Sequence, residues 1–374
     1  MRVLVVDDSA FMRKVITQMI DETPGLEVVG FARNGVEGVK LAEELNPDLI
    51  TLDIEMPELD GLGALRQIRI KCRKNNPAVL MCSSLTTDGS TEAFKALRLG
   101  AADVIAKDPA TVGKRDEGFR KELISKLKAI AGERRRATSA SSPSTLKIGG
   151  KPDTPKPPAP SKSPADLDLD NIDAVVIGSS TGGPPVLEDI LGGMPAGLRV
   201  PVFVAQHMPP LFTKTLSQRL DQHCICNVKL ISERTAITEP GVYVAEGGRH
   251  MHITRHPATL ARAEMRDEPE EAVYRPSVDV LFSTASRVFG KRTLAIQLTG
   301  MGEDGAKGAQ DIRTAGGRVI TQSAETCVVY GMPKAVVESG NSDAQLTPTQ
   351  ITGILAQLCG PTSSQIKSED RKSA

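Results

Sequence analysis

Ala174-Val-Val-Ile-Gly-Ser-Ser-Thr-Gly-Gly183 sets four apolar residues directly before a run of small ones. The apolar run reads as a short buried strand. The small residues force a tight turn, and Pro184-Pro185 opens a helix over 186–191. A strand that stops in small residues and turns into a helix lifts one side chain clear of the sheet edge. Ser180 is the candidate for that side chain, because Gly178 and Gly182 flank it in the Gly-x-Ser-x-Gly spacing of a nucleophile elbow. The same residues also suit a plain strand-to-helix turn or a phosphate cradle. The surrounding chain has to choose among these.

Order continues C-terminally from Ile172. The apolar pattern predicts strands over 200–205, 242–245, 250–254, 259–263, 293–298 and 318–322, with helices over 211–220 and 278–289, one ending at Ala315, and two more after it. This describes a second α/β domain, doubly wound and mostly parallel, with a short β excursion around Gly247-Gly248. A serine nucleophile needs a base, and the base needs an acid to orient it. His207 ends the strand that follows the Ser180 helix, so the two can meet at one edge of the sheet. Asp304 lies in the loop Thr299-Gly-Met-Gly-Glu-Asp-Gly305, after another strand end on the same side. The other histidines fit less well: His223 closes a helix, and His250, His252 and His256 fall on an Arg-rich hairpin. An order of Ser180, Asp189 or Asp221, then His250 or His252 fails because both aspartates sit in or at the end of predicted helices. The 299–305 loop lacks the lysine and hydroxyl of a P-loop, and Glu303 and Asp304 would repel an anion. An oxyanion-hole N–H suits that loop better.

The N-terminal region alternates cleanly. Strands are predicted over 3–6, 27–32, 48–52, 78–82 and 102–106, and helices over 10–20, 35–45, 62–73, 91–99 and 118–130. Five βα units imply a flavodoxin-like parallel sheet covered on both faces, with ligands at the carboxyl ends of its strands. Those ends carry Asp7, Asp8 and Asp53, then Ser83 and Lys107. Converging carboxylates repel unless a cation sits among them, and hard oxygen donors suit Mg²⁺. With a hydroxyl and a lysine beside them, the set has the parts for phosphoryl transfer onto a carboxylate.

Composition narrows the function classes. The 374 residues are enough for two domains, and 46 basic residues balance 46 acidic ones, so no global field points to nucleic acid. Met1 leads straight into a strand, and no apolar run approaches a membrane span, so neither a leader nor membrane insertion is expected. Six scattered cysteines fit reduced thiols, and His223-Cys-Ile-Cys226 has no second ligand cluster for zinc. The expected domains are 1–130 and 171–360. Between them, 131–170 reads as a mobile Pro/Ser/Lys linker, with Glu133-Arg-Arg-Arg136 a solvated helix end, and 361–374 reads as a disordered tail. Asp166, Asp168 and Asp170 alternate like a calcium loop but lack its glycine and closing glutamate.

Two resemblances extend this reading. The first ~125 residues resemble a response-regulator receiver. That implies phosphorylation of Asp53, Mg²⁺ held by Asp7, Asp8 and Asp53, and contacts to the phosphoryl group from Ser83 and Lys107. Two positions depart from the receiver pattern: Asp108 separates Lys107 from Pro109, and Val104 stands where an aromatic switch residue is common. From about 172 to 360 the chain resembles the chemotaxis protein-glutamate methylesterase catalytic domain. The resemblance rests on Ile177-Gly-Ser-Ser-Thr-Gly-Gly183, Gln206-His-Met-Pro209, Tyr243-Val-Ala-Glu-Gly-Gly-Arg-His-Met251, Arg275-Pro-Ser-Val-Asp-Val-Leu-Phe282, Leu298-Thr-Gly-Met-Gly-Glu-Asp-Gly305 and Cys327-Val-Val-Tyr-Gly-Met-Pro333. It implies Ser180 as nucleophile, His207 as base and Asp304 as its orienter, with Met301 and Thr181 supporting the oxyanion. Ser179 stands where that family often has alanine.

The two resemblances together imply a phosphorylation-activated, cytoplasmic esterase. It would hydrolyse glutamate methyl esters on methyl-accepting chemoreceptors and deamidate receptor glutamines. A chemotaxis histidine kinase would be its phosphodonor, and the esterase chemistry would need no cofactor. The unphosphorylated receiver is expected to obstruct the Ser180 edge.

Overall fold

A computed structural model describes residues 1–84, 86–107, 117–140, 167, 169 and 171–360. The chain divides into two compact units, Met1–Pro157 and Pro158–Ala374. The Pro-rich stretch 141–166, the tail 361–374, and Asp108 and Pro109 lie outside the described residues.

The first unit runs β1 (Arg2–Val6), α1 (Ala10–Asp21), β2 (Glu27–Ala32), α2 (Gly35–Leu45), β3 (Leu49–Asp53), α3 (Gly61–Lys71), β4 (Ala78–Ser84), α4 (Thr87–Arg98), β5 (Asp103–Lys107) and α5 (Glu117–Ala140). Its five strands lie in the order β2-β1-β3-β4-β5, every pair parallel. Central strands are apolar along their length because helices cover both faces. Val3, Leu4, Val5 and Val6 are buried, whereas Phe31 on edge strand β2 is exposed.

Two helices differ from the sequence reading. Helix α4 starts four residues early, because the Thr86 hydroxyl caps it by accepting from the Gly89 N–H at 2.9 Å. Helix α5 continues through 131–140, where a linker was expected. Within the basic run that broke the apolar period, the Arg134 guanidinium donates to the Asn75 and Asn76 carbonyls at 2.7 and 2.6 Å.

The second unit begins with β6 (Ala174–Ser179), α6 (Gly183–Gly192), β7 (Val202–Gln206), α7 (Pro210–His223), β8 (Val228–Ile231), β9 (Thr235–Ile237), β10 (Val242–Ala245), β11 (His250–Thr254) and β12 (Ala261–Arg266). It continues with α8 (Val278–Phe289), β13 (Thr293–Gln297), α9 (Ala306–Thr314), β14 (Arg318–Gln322), α10 (Met332–Glu338), β15 (Ala344–Leu346) and α11 (Pro348–Ala356). The main sheet has the order β15-β14-β13-β6-β7-β10-β8, and every pairing is parallel. The excursion is a separate antiparallel sheet, β11-β12-β9. Strand β10 belongs to the main sheet, although the sequence grouped it with the excursion. Strands β8, β9 and β15 were not foreseen.

Strand β6 lies where the order reverses: β7 follows on one side, and β13 to β15 build outward on the other. A crevice opens at the carboxyl ends of such strands. Helix α8 packs against β6, β7 and β13, burying Val278, Leu281, Phe282, Ala285 and Phe289 at helical spacing. Phe203 of β7 stacks on Tyr243 of β10 at 5.7 Å between centroids. Among the described residues, no helix is long and apolar enough to cross a membrane.

Candidate active site and phosphoacceptor site

Ser180, His207 and Asp304 each follow one of three adjacent strands, β6, β7 and β13. Main-chain bonds extend the sheet past its formal end. The His207 N–H donates to the Ser179 carbonyl, and the Ser180 N–H donates to the Thr299 carbonyl, both at 3.0 Å. After Ser180 the chain reverses through Gly182 at φ +76°, a conformation that favours glycine. Gly300 brings the β13 loop against the serine, since a Cβ there would lie 2.7 Å from Ser180 Cβ. Next to it, the Met301 N–H donates to no acceptor among the described residues. Thr181 is buried, and its carbonyl accepts from the Thr299 hydroxyl at 2.9 Å.

The two neighbouring serines differ in access. Ser179 is 0% exposed, and its hydroxyl donates to Gln206 Oε1 at 2.6 Å, whereas Ser180 is 9% exposed. The Gln206 amide in turn donates to the Ser180 carbonyl at 3.0 Å. Ser179 therefore braces the turn. Ser179→Ala should leave turnover at the site within about threefold and cost about 1–3 kcal/mol of stability, because it leaves the buried Gln206 Oε1 without its donor. Parallel turnover and melting measurements check this.

The imidazole is held by one nitrogen. His207 Nε2 lies 2.8 Å from Asp304 Oδ2, while its Nδ1 is buried with no hydrogen-bond partner among the described residues. Asp304 also accepts from the Val278 N–H at 2.7 Å, the Asp279 N–H at 3.0 Å and the Ser277 hydroxyl at 2.9 Å. An ionised carboxylate offers only acceptors, so Nε2 carries a proton, and in the neutral ring Nδ1 keeps its lone pair. Burial pushes the Asp304 pKa up, but the His207 contact and the two backbone N–H bonds outweigh it and hold the carboxyl below its ordinary value. The N-terminus of α8 adds to this anion's support. Asp279 does the same for the next helix, accepting from the Gly305 and Gly308 N–H groups at 2.9 and 2.7 Å. Burial, reinforced by nearby Asp304, leaves the Asp279 pKa above its usual range.

Residues outside the sequence reading complete the site. Ser277 caps α8 and holds Asp304; a serine followed by an acid in the first helical turn was a readable cap. Tyr274 stacks on the His207 ring at 4.4 Å and 10° between planes, and no sequence pattern marks it. His250 and His252 bond to other partners. His250 is fully buried and accepts the Ser277 N–H at 3.1 Å, and His252 contacts the Glu268 carbonyl at 2.9 Å. Asp189 and Asp221 lie in helices α6 and α7.

In the first unit, Asp7, Asp8 and Asp53 bring carboxylate oxygens within 4.8 Å of one another. Lys107 Nζ reaches Asp53 Oδ1 at 2.6 Å and Asp7 Oδ2 at 3.1 Å. Arg13 fixes the first strand end by donating to the Asp7 and Asp8 carbonyls at 2.8 and 2.9 Å. Burial opposes the charge on Asp53; Lys107 offsets part of this, and Asp7 and Asp8 add to it, so the pKa rises to about 6. Burial lowers the Lys107 pKa, but Asp53 and Asp7 together reverse that and raise it. Three crowded oxygen donors, one accessible on Asp8, fit a small hard cation. Ser83 follows Asp53 across the sheet, but its hydroxyl is buried and donates to the Gly89 carbonyl at 2.8 Å. Val104 is buried in β5.

The raised Asp53 pKa has a stability consequence in metal-free protein. An acid whose folded pKa lies above its unfolded 3.8 destabilises the fold when ionised, and the cost disappears as the proton returns. Relative to wild type, Asp53→Asn should therefore gain about 3 kcal/mol of stability between pH 3.8 and pH 7.5, set against a pH-independent loss from leaving the Lys107 ammonium without this carboxylate. The gain should shrink as pH falls through about 6 toward 3.8. Denaturation with a chelator present, across that pH range, checks it.

Comparison with known proteins matches two family models: CheB methylesterase over residues 175–355 and response regulator receiver domain over 3–112. A protein-glutamate methylesterase/protein-glutamine glutaminase 1 of Oleidesulfovibrio alaskensis is 40% identical, covering 92% of this chain and 95% of that one. The enzyme of the same name from Geobacter sulfurreducens is 39% identical, covering 96% and 98%. A solved structure, the Thermotoga maritima CheB methylesterase catalytic domain, is 39% identical, covers 50% of this chain and 98% of that one, and superposes with a TM-score of 0.48.

Proposed function

The chain belongs to the protein-glutamate methylesterase/protein-glutamine glutaminase family, and on that premise we propose that it hydrolyses glutamate methyl esters on chemoreceptors through Ser180, His207 and Asp304, under control of phosphorylation at Asp53. The observation that carries the mechanism is the imidazole anchored to Asp304 through Nε2, with Nδ1 buried and unpartnered at the strand end beside Ser180.

His207 Nδ1 takes the Ser180 proton as Oγ attacks the ester carbonyl. The usual serine-protease arrangement holds Nδ1–H on the aspartate, so the two nitrogens exchange roles here. The negative charge that develops on the carbonyl oxygen is met by the Met301 N–H, with the Thr181 turn supporting that wall. His207 returns the proton to the leaving methanol, and a water activated by the same nitrogen hydrolyses the acyl-enzyme. Attack on a glutamine amide releases ammonia by the same steps. Asp304 remains ionised throughout, stabilising the imidazolium.

In the receiver, Asp53 accepts the phosphoryl group from a chemotaxis histidine kinase, in the cytoplasm. Asp7, Asp8 and Asp53 would hold Mg²⁺, which when bound supplies positive charge for the transferring phosphoryl oxygens. Lys107, at 2.6 Å from Asp53, is close enough to serve the same oxygens. Ser83 would join them only after its hydroxyl leaves the Gly89 carbonyl.

Turnover on methylated chemoreceptor membranes, set against simple aliphatic and aryl methyl esters, tests the substrate class. Receptor ester should be preferred by orders of magnitude in kcat/KM. Equal rates on all esters would make the protein a general esterase.

A further inference from the structure

Tyr274 lies in the loop 267–277 between β12 and α8, and this loop is fastened on both sides of the site. The Gly248 N–H donates to the Arg275 carbonyl at 3.1 Å. The Ser277 N–H donates to buried His250 Nδ1 at 3.1 Å, and the Ser277 hydroxyl donates to Asp304 at 2.9 Å. A ring carried on so fixed a segment is a built wall. It lies nearly parallel to the His207 imidazole, at 4.4 Å. It also reaches the oxyanion loop, since a Cβ on Gly302 would come within 3.9 Å of Tyr274 Cε2 and its hydroxyl. The His207 side chain is left 6% exposed.

We propose that Tyr274 is a positioning residue of the esterase, its ring face holding the His207 imidazole on Asp304 and stabilising the imidazolium that forms when Ser180 gives up its proton. This deepens the reading of Ser180, His207 and Asp304 and rests on it. An imidazole turns about its Cβ–Cγ bond in a broad, two-fold torsion. Asp304 fixes one edge of the ring but not its tilt, and a parallel ring in contact removes that freedom. The aromatic face also carries negative quadrupolar charge, so it attracts the ring more strongly once the ring is cationic. That gain exists in the transition state and not in the ground state, so it belongs to kcat.

Full-length Tyr274→Phe and Tyr274→Leu separate this role from space filling. Both keep an apolar side chain in the wall, but only phenylalanine keeps the face. The readouts are methanol release from methylated receptor membranes, the rate of Ser180 labelling by a fluorophosphonate, and the melting temperature. Phenylalanine should match wild type within about twofold. Leucine should lower kcat and the labelling rate together by about tenfold, the scale of a cation facing an aromatic ring, with KM and melting temperature unchanged. A leucine variant with wild-type kcat and labelling would overturn the proposal, as would a loss confined to KM or one that phenylalanine fails to rescue. Labelling does not depend on the natural ester. A wild type that labels but releases no methanol would therefore defeat the receptor-ester reading, while the leucine-to-wild-type labelling ratio still decides the role of Tyr274.

Discussion

Ser180→Ala is expected to lower methanol release by roughly 10⁴- to 10⁶-fold, the range lost when a serine nucleophile is removed from an intact triad. The substitution deletes Oγ and nothing that holds the turn. The Ser180 N–H still donates to Thr299, and its carbonyl still accepts from the Gly183 N–H at 2.8 Å and the Gln206 amide at 3.0 Å. The melting temperature should therefore stay close to wild type. Ser179 cannot take over, because its hydroxyl is wholly buried and bonded to Gln206. Turnover and melting curves of Ser180→Ala beside Ser179→Ala check both halves of the claim. Loss of activity in the Ser179 variant alone would move the nucleophile.

Asp304→Asn should cost about 10⁴-fold in kcat, and stability as well. Each of the carboxylate's four contacts comes from a donor: His207 Nε2–H, the Ser277 hydroxyl, and the Val278 and Asp279 N–H groups. An asparagine replaces one acceptor oxygen with an NH₂ donor. If that NH₂ faces His207, the imidazole must accept at Nε2, its proton moves to Nδ1, and the base can no longer take a proton from Ser180. If it takes the place of Oδ1, it faces the Ser277 hydroxyl and the Asp279 N–H instead, which leaves a buried donor unpaired at a cost of about 1–3 kcal/mol while Nε2 keeps its acceptor. Both orientations deprive one α8 N–H of its acceptor, so thermal denaturation reads the common stability loss and kcat distinguishes the two. A variant retaining wild-type kcat would remove Asp304 from the mechanism.

Ser180, His207 and Asp304 could be placed together because Ser180 and His207 follow apolar runs that read as buried strands, and Asp304 lies in the loop after a third. Ser180, His207 and Asp304 follow β6, β7 and β13, and parallel strands in one sheet present their carboxyl ends together. The choice of nitrogen on His207 was not readable. It depends on Asp304 facing the N-terminus of α8, a contact between residues 26 positions apart in the chain. Tyr274 was invisible for a similar reason, since its ring meets His207 across a fold and belongs to no repeat. In the receiver, Asp7, Asp53 and Lys107 were legible as strand-end charges. The inward turn of the Ser83 hydroxyl toward Gly89 depends on where α4 begins, and that start was misplaced by four residues.

The remaining misses also have local causes. Strands β9 and β15 are three residues long, too short for alternation to register. Strand β10 was recognised, but its partners β7 and β8 are non-local choices that an apolar tetrapeptide does not encode. Helix α5 outran its apolar face because Arg134 anchors it through backbone carbonyls of the loop after α3.

Methanol release from methylated chemoreceptor membranes, measured with and without acetyl phosphate and Mg²⁺, tests the central claim most directly when wild type is run beside Asp53→Asn. Wild-type release should rise severalfold or more with the phosphodonor, and Asp53→Asn should stay at the basal rate in both conditions. Release that is the same with and without phosphodonor, or that rises equally in Asp53→Asn, would contradict a receptor methylesterase governed by phosphorylation at Asp53.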